Sequence, residues 1–524
     1  MSYVGQTYRV PCAKGGLTAN PNIDQIPPES MVLARNINIF DNGRGKRGGT
    51  DKVNGTIGYG SSQLMGIFDF RLVDATDFVM VGTAAGAIWK NSTTSLKTGL
   101  TAAKYFHFQV YADTLYVCNG ANIPQTWDGS AGSTSDMAAV PTDWTGSNFP
   151  QQIVVHGRKN SERGWASGCP NNPHTLYVTP NSAGIGLDFS QGTINTFYIN
   201  TNDGYGIVGI AEFGDRLFAF GKNKTYVMDD SSTDISKWGY DGAQWEGGAA
   251  HWRLIVKTPN DLLCMTDDGN IYSVRAAESY GDYKQASITK PSWIDKWIRD
   301  NCDLGKINQF HAVYDPELRI ARFFVVRAGQ STVDTSLVYN IDKGPEEGWV
   351  VHDNQTNASG FDASCSAIVR VDPATHHTQY VYTGDYSGYV WELEEANKND
   401  DSVAYYAGFK TARMPFDNPR ISKKYSQGWL VTEAKGAYNV YINIWVDGIA
   451  LTQQSIDLSG VGGTYGTAVY GADTYGGDEM IDKPFDVGTR GKRIQYEIFN
   501  SNVDEDFFIS QILQDHKLLG NRPV

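Results

Sequence analysis

Cysteine is sparse in this chain: six residues in 524, scattered as Cys12, Cys118, Cys169, Cys264, Cys302 and Cys365. None forms a CxxC pair or stands at zinc-like spacing with histidine, which removes the common sulfur-ligated metal frameworks. A chain of this length needs no disulfide scaffold, so the thiols are expected as small buried residues folded in a reducing compartment. Long apolar runs are missing too, and no stretch approaches the ~20 residues that span a bilayer. The opening Met1-Ser2-Tyr3-Val4-Gly5-Gln6 lacks the charged-then-apolar layout of a secretory signal, so ordinary export is not expected. No GxSxG elbow, HExxH helix or GxxxxGK(S/T) loop occurs, nor the Ser-x-Asp-x-Gly-x-x-Trp box of sialidases.

What is abundant points to strands. Tyr (29), Phe (22), Trp (13) and Gly (56) together favour short strands joined by tight turns. The net charge is −14 and uneven. Residues 1–60 are net basic, residues 61–401 carry essentially all the acidity, and residues 402–524 are close to balance. An acidic surface of this kind repels nucleic acid, which argues against tight, sequence-reading DNA binding.

One hairpin recurs. Phe78–Trp89, Leu262–Tyr272 and Tyr380–Trp391 each run apolar strand, Gly-containing turn, then a strand ending in an aromatic. Gly82 to Trp89, Gly120 to Trp127 and Gly384 to Trp391 share one step, and Arg216–Gly221 with Thr225–Met228 forms a related hairpin. The short gaps between anchors (82 to 120, 221 to 265) match the ~40–50 residues of one propeller blade. The long gaps leave room for degenerate blades in 150–200 and 308–352, the latter around His311–Val326. Six or seven blades follow, because one blade's sheet cannot bury both faces alone. An array of β-sandwiches is the alternative fold. The expected organisation is an extended N-terminal arm over 1–60, a β-propeller over 61–401, and a small C-terminal β-barrel or sandwich over 402–524. In the last part Asn439–Leu451 reads as a hairpin with a primed turn at Asp447-Gly448. Further strands lie at Arg493–Phe499 and Phe507–Ile512. One helix is expected over Ser292–Asp300, capped by Ser292, with Trp293, Ile294, Trp297 and Ile298 on one stripe.

Candidate chemistry is thin. His376-His377 read as a surface turn, and Asp267-Asp268-Gly269-Asn270 is too short for a calcium loop and lacks its downstream Glu. Glu346-Glu347 and Glu394-Glu395 are ordinary in an acidic chain. Asn160–His174 is expected as a long inter-blade connection or an exposed contact loop. No catalytic, cofactor-binding or metal-binding residue is assigned, and no cofactor is expected.

Several segments resemble the tail nozzle, or packaged-DNA stabilisation, proteins of short-tailed bacteriophages. They are Lys14-Gly15-Gly16-Leu17, Pro27-Pro28, Leu33-Ala34-Arg35-Asn36 and Arg44-Gly45-Lys46-Arg47-Gly48-Gly49, then Asp203–Gly221 with its Gly-Ile and Asp-x-Leu-x-x-Phe-Gly pattern, and finally Gly491–Ile498 with Ile509–Ile512. The resemblance implies a non-enzymatic virion component assembled in the host bacterial cytoplasm. It would be a hexameric ring closing the DNA channel at the tail tip, retaining the genome and conducting it at ejection. Implied partners are further copies of the chain, the tail adaptor or gatekeeper ring, tail fibres or spikes, and double-stranded DNA in passage, with no membrane span. An acidic wall then lets DNA slide instead of bind, and Arg44, Lys46 and Arg47 are expected on the surface facing an acidic partner ring. The competing class is a carbohydrate-binding or hydrolysing propeller acting in receptor recognition, marked by a pocket of carboxylates and arginines. A bacterial surface or scaffold propeller is the third, set back by the missing export signal.

Overall fold

A computed structural model describes residues 5–55, 59–74, 76–157, 162–180, 186–190, 196–232, 234–282, 284–353, 360–370, 378–416, 418–459 and 480–519. Its sheets are antiparallel apart from single parallel bridges. Seven of them, counted as blades, follow one another along the chain. Blades 1 to 4 are four-stranded and begin at the strands Leu64–Arg71, His107–Tyr111, Gln152–His156 and Gly209–Phe213. Blade 5 has three strands from Ile255–Lys257. Blade 6, from His311–Asp315, is the first four strands of a ten-stranded sheet, and blade 7 begins at Ala363–Arg370. Each first strand touches the first strand of the next blade, and that of blade 7 returns to that of blade 1. The ring closes. This is a β-propeller of six self-standing sheets plus a seventh shared with a larger one.

The recurring hairpin is the second and third strands of a blade. Phe78–Trp89 spans the pair Asp77–Thr83 and Ala87–Lys90, Leu262–Tyr272 that of blade 5, and Tyr380–Trp391 that of blade 7. The segments 150–200 and 308–352 hold blades 3 and 6. These middle strands are apolar because both faces are covered by neighbours. Ile88 and Phe70 of blade 1 pack on Leu115 and Trp127 of blade 2, while Trp165 and Leu176 of blade 3 pack on Ile210 and Leu217 of blade 4. Each such side chain contributes roughly 1.5–3 kcal/mol of burial.

The N-terminal segment is not an arm. It threads the whole molecule as five strands. Gln6–Pro11 pairs with the C-terminal strand Phe508–Leu518, and Met31–Arg35 joins blade 6 to the rest of the ten-stranded sheet. Ile37–Ile39 and Arg44–Lys46 form a hairpin on the same C-terminal strand. Gly49–Lys52 then pairs with Val390–Glu395 as the outermost strand of blade 7, so the chain's beginning closes the ring that its middle builds.

The C-terminal part is a sandwich. One sheet holds Ala407–Thr411, Ile494–Asn500 and Asn439–Val446; the other holds Lys423–Glu433, Met480–Asp486 and Phe508–Leu518. Their inner faces share one core, and the Tyr496 hydroxyl donates to Gln514 Oε1 at 2.7 Å across it. Asp447 and Gly448 both take positive φ (52° and 85°), the primed turn their residue types favour.

The helix begins later than expected, at Ile294, and ends at Asn301. Trp293, at φ 59°, occupies the cap position without a side-chain bond, and Ser292 instead donates to the Pro345 carbonyl. Ile294 and Ile298 are buried, but Trp293 is 41% exposed and leaves the stripe. A second helix, Val274–Tyr280, had no clear sequence signal; Ser273 caps it by accepting from the Ala276 amide at 3.0 Å.

Gly48 sits where the closing strand turns into blade 7, and a Cβ there would lie 2.5 Å from the Glu394 carbonyl carbon. Gly48→Ala is therefore expected to cost about 1–3 kcal/mol, read as a lower urea midpoint at unchanged slope. Gly239→Ala, with open space around it, should leave the midpoint in place. Equal midpoints for the two variants would mean the closing strand is not held tightly.

Candidate functional site

Three places concentrate polar chemistry: the joint between propeller and sandwich, the propeller axis, and a pocket at the rim of blades 3 and 4.

The joint contains the basic run. Arg44, Lys46 and Arg47 are at most 1% exposed, so they are not a surface for an acidic partner ring. Composition suggested a solvated basic patch; the fold encloses it in aromatic rings and acceptors from distant segments. Arg47 donates to both carboxylate oxygens of Asp400 at 2.9 and 2.7 Å, with its guanidinium 3.8 Å from the Tyr405 ring centre and 4.5 Å from that of Phe361. Burial alone would depress the Arg47 pKa, but the Asp400 carboxylate beside it raises it above the usual guanidinium value. Lys46 donates to Asn500 Oδ1 and the Asn502 carbonyl and lies over Tyr405; burial, then Arg47, pulls its pKa down to about 8. Arg44 has no carboxylate in hydrogen-bond reach among the described residues. It donates to the carbonyls of Lys14, Gly15 and Glu29 over the Phe409 ring.

The other residues of the N-terminal pattern meet at the same joint. Arg35 pairs with Asp353 at 2.6 Å. Asn36, at φ 54°, accepts from Arg47 Nε and the Asp353 amide and donates to the Tyr406 carbonyl. Gly15, at φ 78°, leaves 2.3 Å between a hypothetical Cβ and the Glu29 carbonyl oxygen. Nearby, Arg322, Glu394 and His352 form a buried cluster, with Arg322 Nη2 2.7 Å from Glu394. Although burial alone would raise its pKa, Arg322 and His352 hold Glu394 well below the usual carboxylate range.

The axis is narrow and partly filled. A cavity of about 280 Å³ is lined by first-strand residues including Met65, His107, Gln152, His311 and Ser366, together with Phe106, Trp252 and Arg253. No Asp or Glu lines it. Burial lowers His107 to about 4, and burial, then Arg253 and Lys222, lowers the neighbouring His251 to about 3. This cavity is thus not acidic and is too small for a duplex; a second cavity between the same first strands, about 460 Å³, is lined by Asp69, Lys257 and Arg370.

The rim pocket, about 530 Å³, is lined by Glu212, Asp215, Asp229, Asp230 and Asp241 with Arg163, Arg216, His156 and Trp238. This is a carboxylate- and arginine-lined pocket within one subunit, the feature expected of the carbohydrate class. It lies off the axis, and much of its lining is already engaged. His156 stands 3.2 Å from Asp230 and 3.8 Å from Glu212, Arg216 pairs with Glu278, and Trp238 stacks on Trp165. The stretch Asn160–His174 feeds this region; residues 160–161 lie outside the described residues, but Arg163–Ser167 is the second strand of blade 3, not a connection. Trp165 is fully buried there.

All six cysteines are free and buried. Asp267–Asn270 is a hairpin turn with Gly269 at φ 80°, and His376-His377 lie outside the described residues. Among the described residues no group of three or more His, Cys, Asp and Glu side chains is placed to hold a metal ion. No helix there is long and apolar enough to cross a membrane.

The buried histidines set a pH dependence. Unfolded, they titrate near the ordinary imidazole value of about 6.5, while the fold keeps His107 and His251 neutral down to about 4 and 3. The unfolded chain therefore takes up protons first, and stability falls as pH drops from about 6.5 towards 4. Glu394 adds a further loss below the ordinary carboxylate range, as its depressed pKa is approached. Thermal midpoints measured from pH 8 to 4 should decline over this window, and His107→Gln should flatten the decline. An unchanged slope would remove His107 from the account.

No family model matches the chain, and no curated protein matches it. Among solved structures it is similar to BBS1N in complex with ARL6DN, at TM-score 0.38 and 12% identity over 67% of this chain and 97% of that one. It is also similar to BamB from Moraxella catarrhalis, at TM-score 0.37 and 9% identity over 75% and 99%. A third is the Pan2 WD40 domain of Neurospora crassa, at TM-score 0.35 and 9% identity over 66% and 95%. Likeness at this level assigns no activity, and the all-β propeller stands on the closed ring of sheets described above.

Proposed function

We propose that the protein is a structural component of a short phage tail, a nozzle subunit that assembles into a hexameric ring, closes the DNA channel and conducts the genome at ejection. The observation that carries the reading is that the N-terminal segments resembling the nozzle family converge on one joint. Gly15, Gly16, Arg35, Asn36, Arg44, Arg47 and Gly48 hold propeller and sandwich together and close the ring of blades. A pattern of residues spent on rigidity suits a part that resists the pressure of packaged DNA. Because the axial cavity is too small for a duplex, the conduit in this reading lies between subunits, bounded by outer blade surfaces from the acidic segment 61–401. A polyanion finds few counter-charges on such a wall, so it passes without sticking. The sandwich is the platform for the adaptor ring, and the fibres or spikes meet the remaining exterior.

Electron microscopy of the purified chain mixed with its tail adaptor protein tests this. The expected result is closed rings, with particles lacking the chain losing packaged DNA. A chain that stays monomeric with the adaptor, together with full DNA retention in its absence, would overturn the reading.

Carbohydrate recognition is the second reading, favoured by the acids, arginines and Trp238 of the rim pocket. Titration with neutral and acidic oligosaccharides separates the two. Saturable binding or hydrolysis lost in both Asp230→Asn and Trp238→Ala would establish it. Under the nozzle reading neither sugar binds and both variants still assemble.

A further inference from the structure

We infer that the axial cavity is a binding site for a small tetrahedral oxyanion bearing an O–H, of the hydrogen-phosphate class. The inference is independent of the tail reading. Arg253 is 8% exposed and has no carboxylate within 4.0 Å among the described residues, unlike the buried Arg47 and Arg322. Its Nη2 donates to the Ser364 carbonyl and its guanidinium lies 3.7 Å from the Tyr105 ring centre, while Nη1 has no acceptor. A buried cation left in this state costs several kcal/mol, which an anion in the adjoining space would offset.

Four more orphaned polar atoms belong to side chains lining the same cavity: His107 Nδ1, Trp252 Nε1, His311 Nε2 and Ser366 Oγ. They come from blade 2, the approach to blade 5, blade 6 and blade 7, so they surround the axis instead of sharing one wall. With no carboxylate in the lining, nothing there repels an anion. Arg253, Trp252 and Ser366 supply donors. His311 differs. Its Nδ1 faces the Gln309 carbonyl at 3.5 Å, which assigns the ring proton to Nδ1 and leaves Nε2 an acceptor. Burial holds this ring neutral, as it does His107. A ligand matching these four groups accepts from Arg253, Trp252 and Ser366 and donates to His311, as hydrogen phosphate does and sulfate does not. The cavity of about 280 Å³ holds a free anion and excludes a duplex.

Thermal unfolding and calorimetric titration of the full chain with inorganic phosphate test the site, with sulfate and a short DNA duplex as parallel arms at equal ionic strength. The midpoint should rise by about 1 °C for each tenfold of phosphate above its dissociation constant. Sulfate should bind at least tenfold more weakly, and the duplex should give no competing signal. Arg253→Met should abolish the phosphate-dependent rise. Should that variant fail to fold, Ser366→Ala keeps the test open: it should weaken phosphate several-fold without lowering the midpoint in phosphate-free buffer. No phosphate-dependent rise, an equal effect of sulfate, or an undiminished rise in the variants would each overturn the proposal.

Discussion

The molecule depends on a dry ion pair. Arg47 and Asp400 are both fully buried, bonded through two parallel N–H···O contacts and boxed by Tyr405 and Phe361. Such a pair adds little net stability over a well-packed apolar substitute, since desolvation of both ions offsets their attraction. Its value is positional. The strand it precedes, Gly49–Lys52, has four residues and no hydrophobic pattern of its own, so packing alone would leave its register loosely specified. A bidentate pair with one satisfying geometry fixes that register, and blade 7 then gains its fourth strand. The completed sheet of blade 7 follows from where that strand docks.

The surrounding polar groups extend the same logic. Lys398 donates to the Lys46 and Arg47 carbonyls, Glu394 accepts from the Gly48 amide, and the Thr50 hydroxyl donates to Asp400. Around Arg47 and Asp400 the joint is therefore a paired network, the condition under which buried polarity specifies a structure instead of destabilising it. Arg44 shows another solution: three backbone carbonyls and an aromatic face replace the carboxylate. Arg253 has one carbonyl and one ring, and, unlike Arg44, it lines a cavity together with other unpaired polar side chains.

The blades were legible because the middle strands of each are covered on both faces. That requirement forces apolar runs, and the turns between them need positive φ, met by Gly86, Gly269 and Gly388. The first strands, which line the axis, mix Phe108 with His107 and Gln109, so they carry no pattern a reader can follow. The closing strand was illegible for the reason given above. Arg44, Lys46 and Arg47 were misplaced because a charge run looks the same whether it meets water or a box of aromatics. The box comes from Phe361, Tyr405 and Phe409, more than 300 residues away. Asn160–His174 misled in the opposite sense: its glycines and polar residues resemble a loop, yet Gly164 lies against Leu187 and Phe189 in a packed strand. The axial and rim sites gave no local signal at all, since their residues are gathered from several blades.

The ten-stranded sheet has a mechanical consequence. Blade 6 continues through Met31–Arg35 into Ala407–Thr411, Ile494–Asn500 and Asn439–Val446, so one sheet crosses from propeller to sandwich. Two domains joined by a flexible linker would move independently; here the Arg35–Val351 bridge, the Arg35–Asp353 ion pair and a shared core all resist rotation of one against the other. In the nozzle reading a channel built from such a part opens at contacts between copies, since the described residues of the joint pack propeller against sandwich. The residues that carry the family resemblance are among those that hold this joint, and in the nozzle reading this is why they belong to the pattern at all.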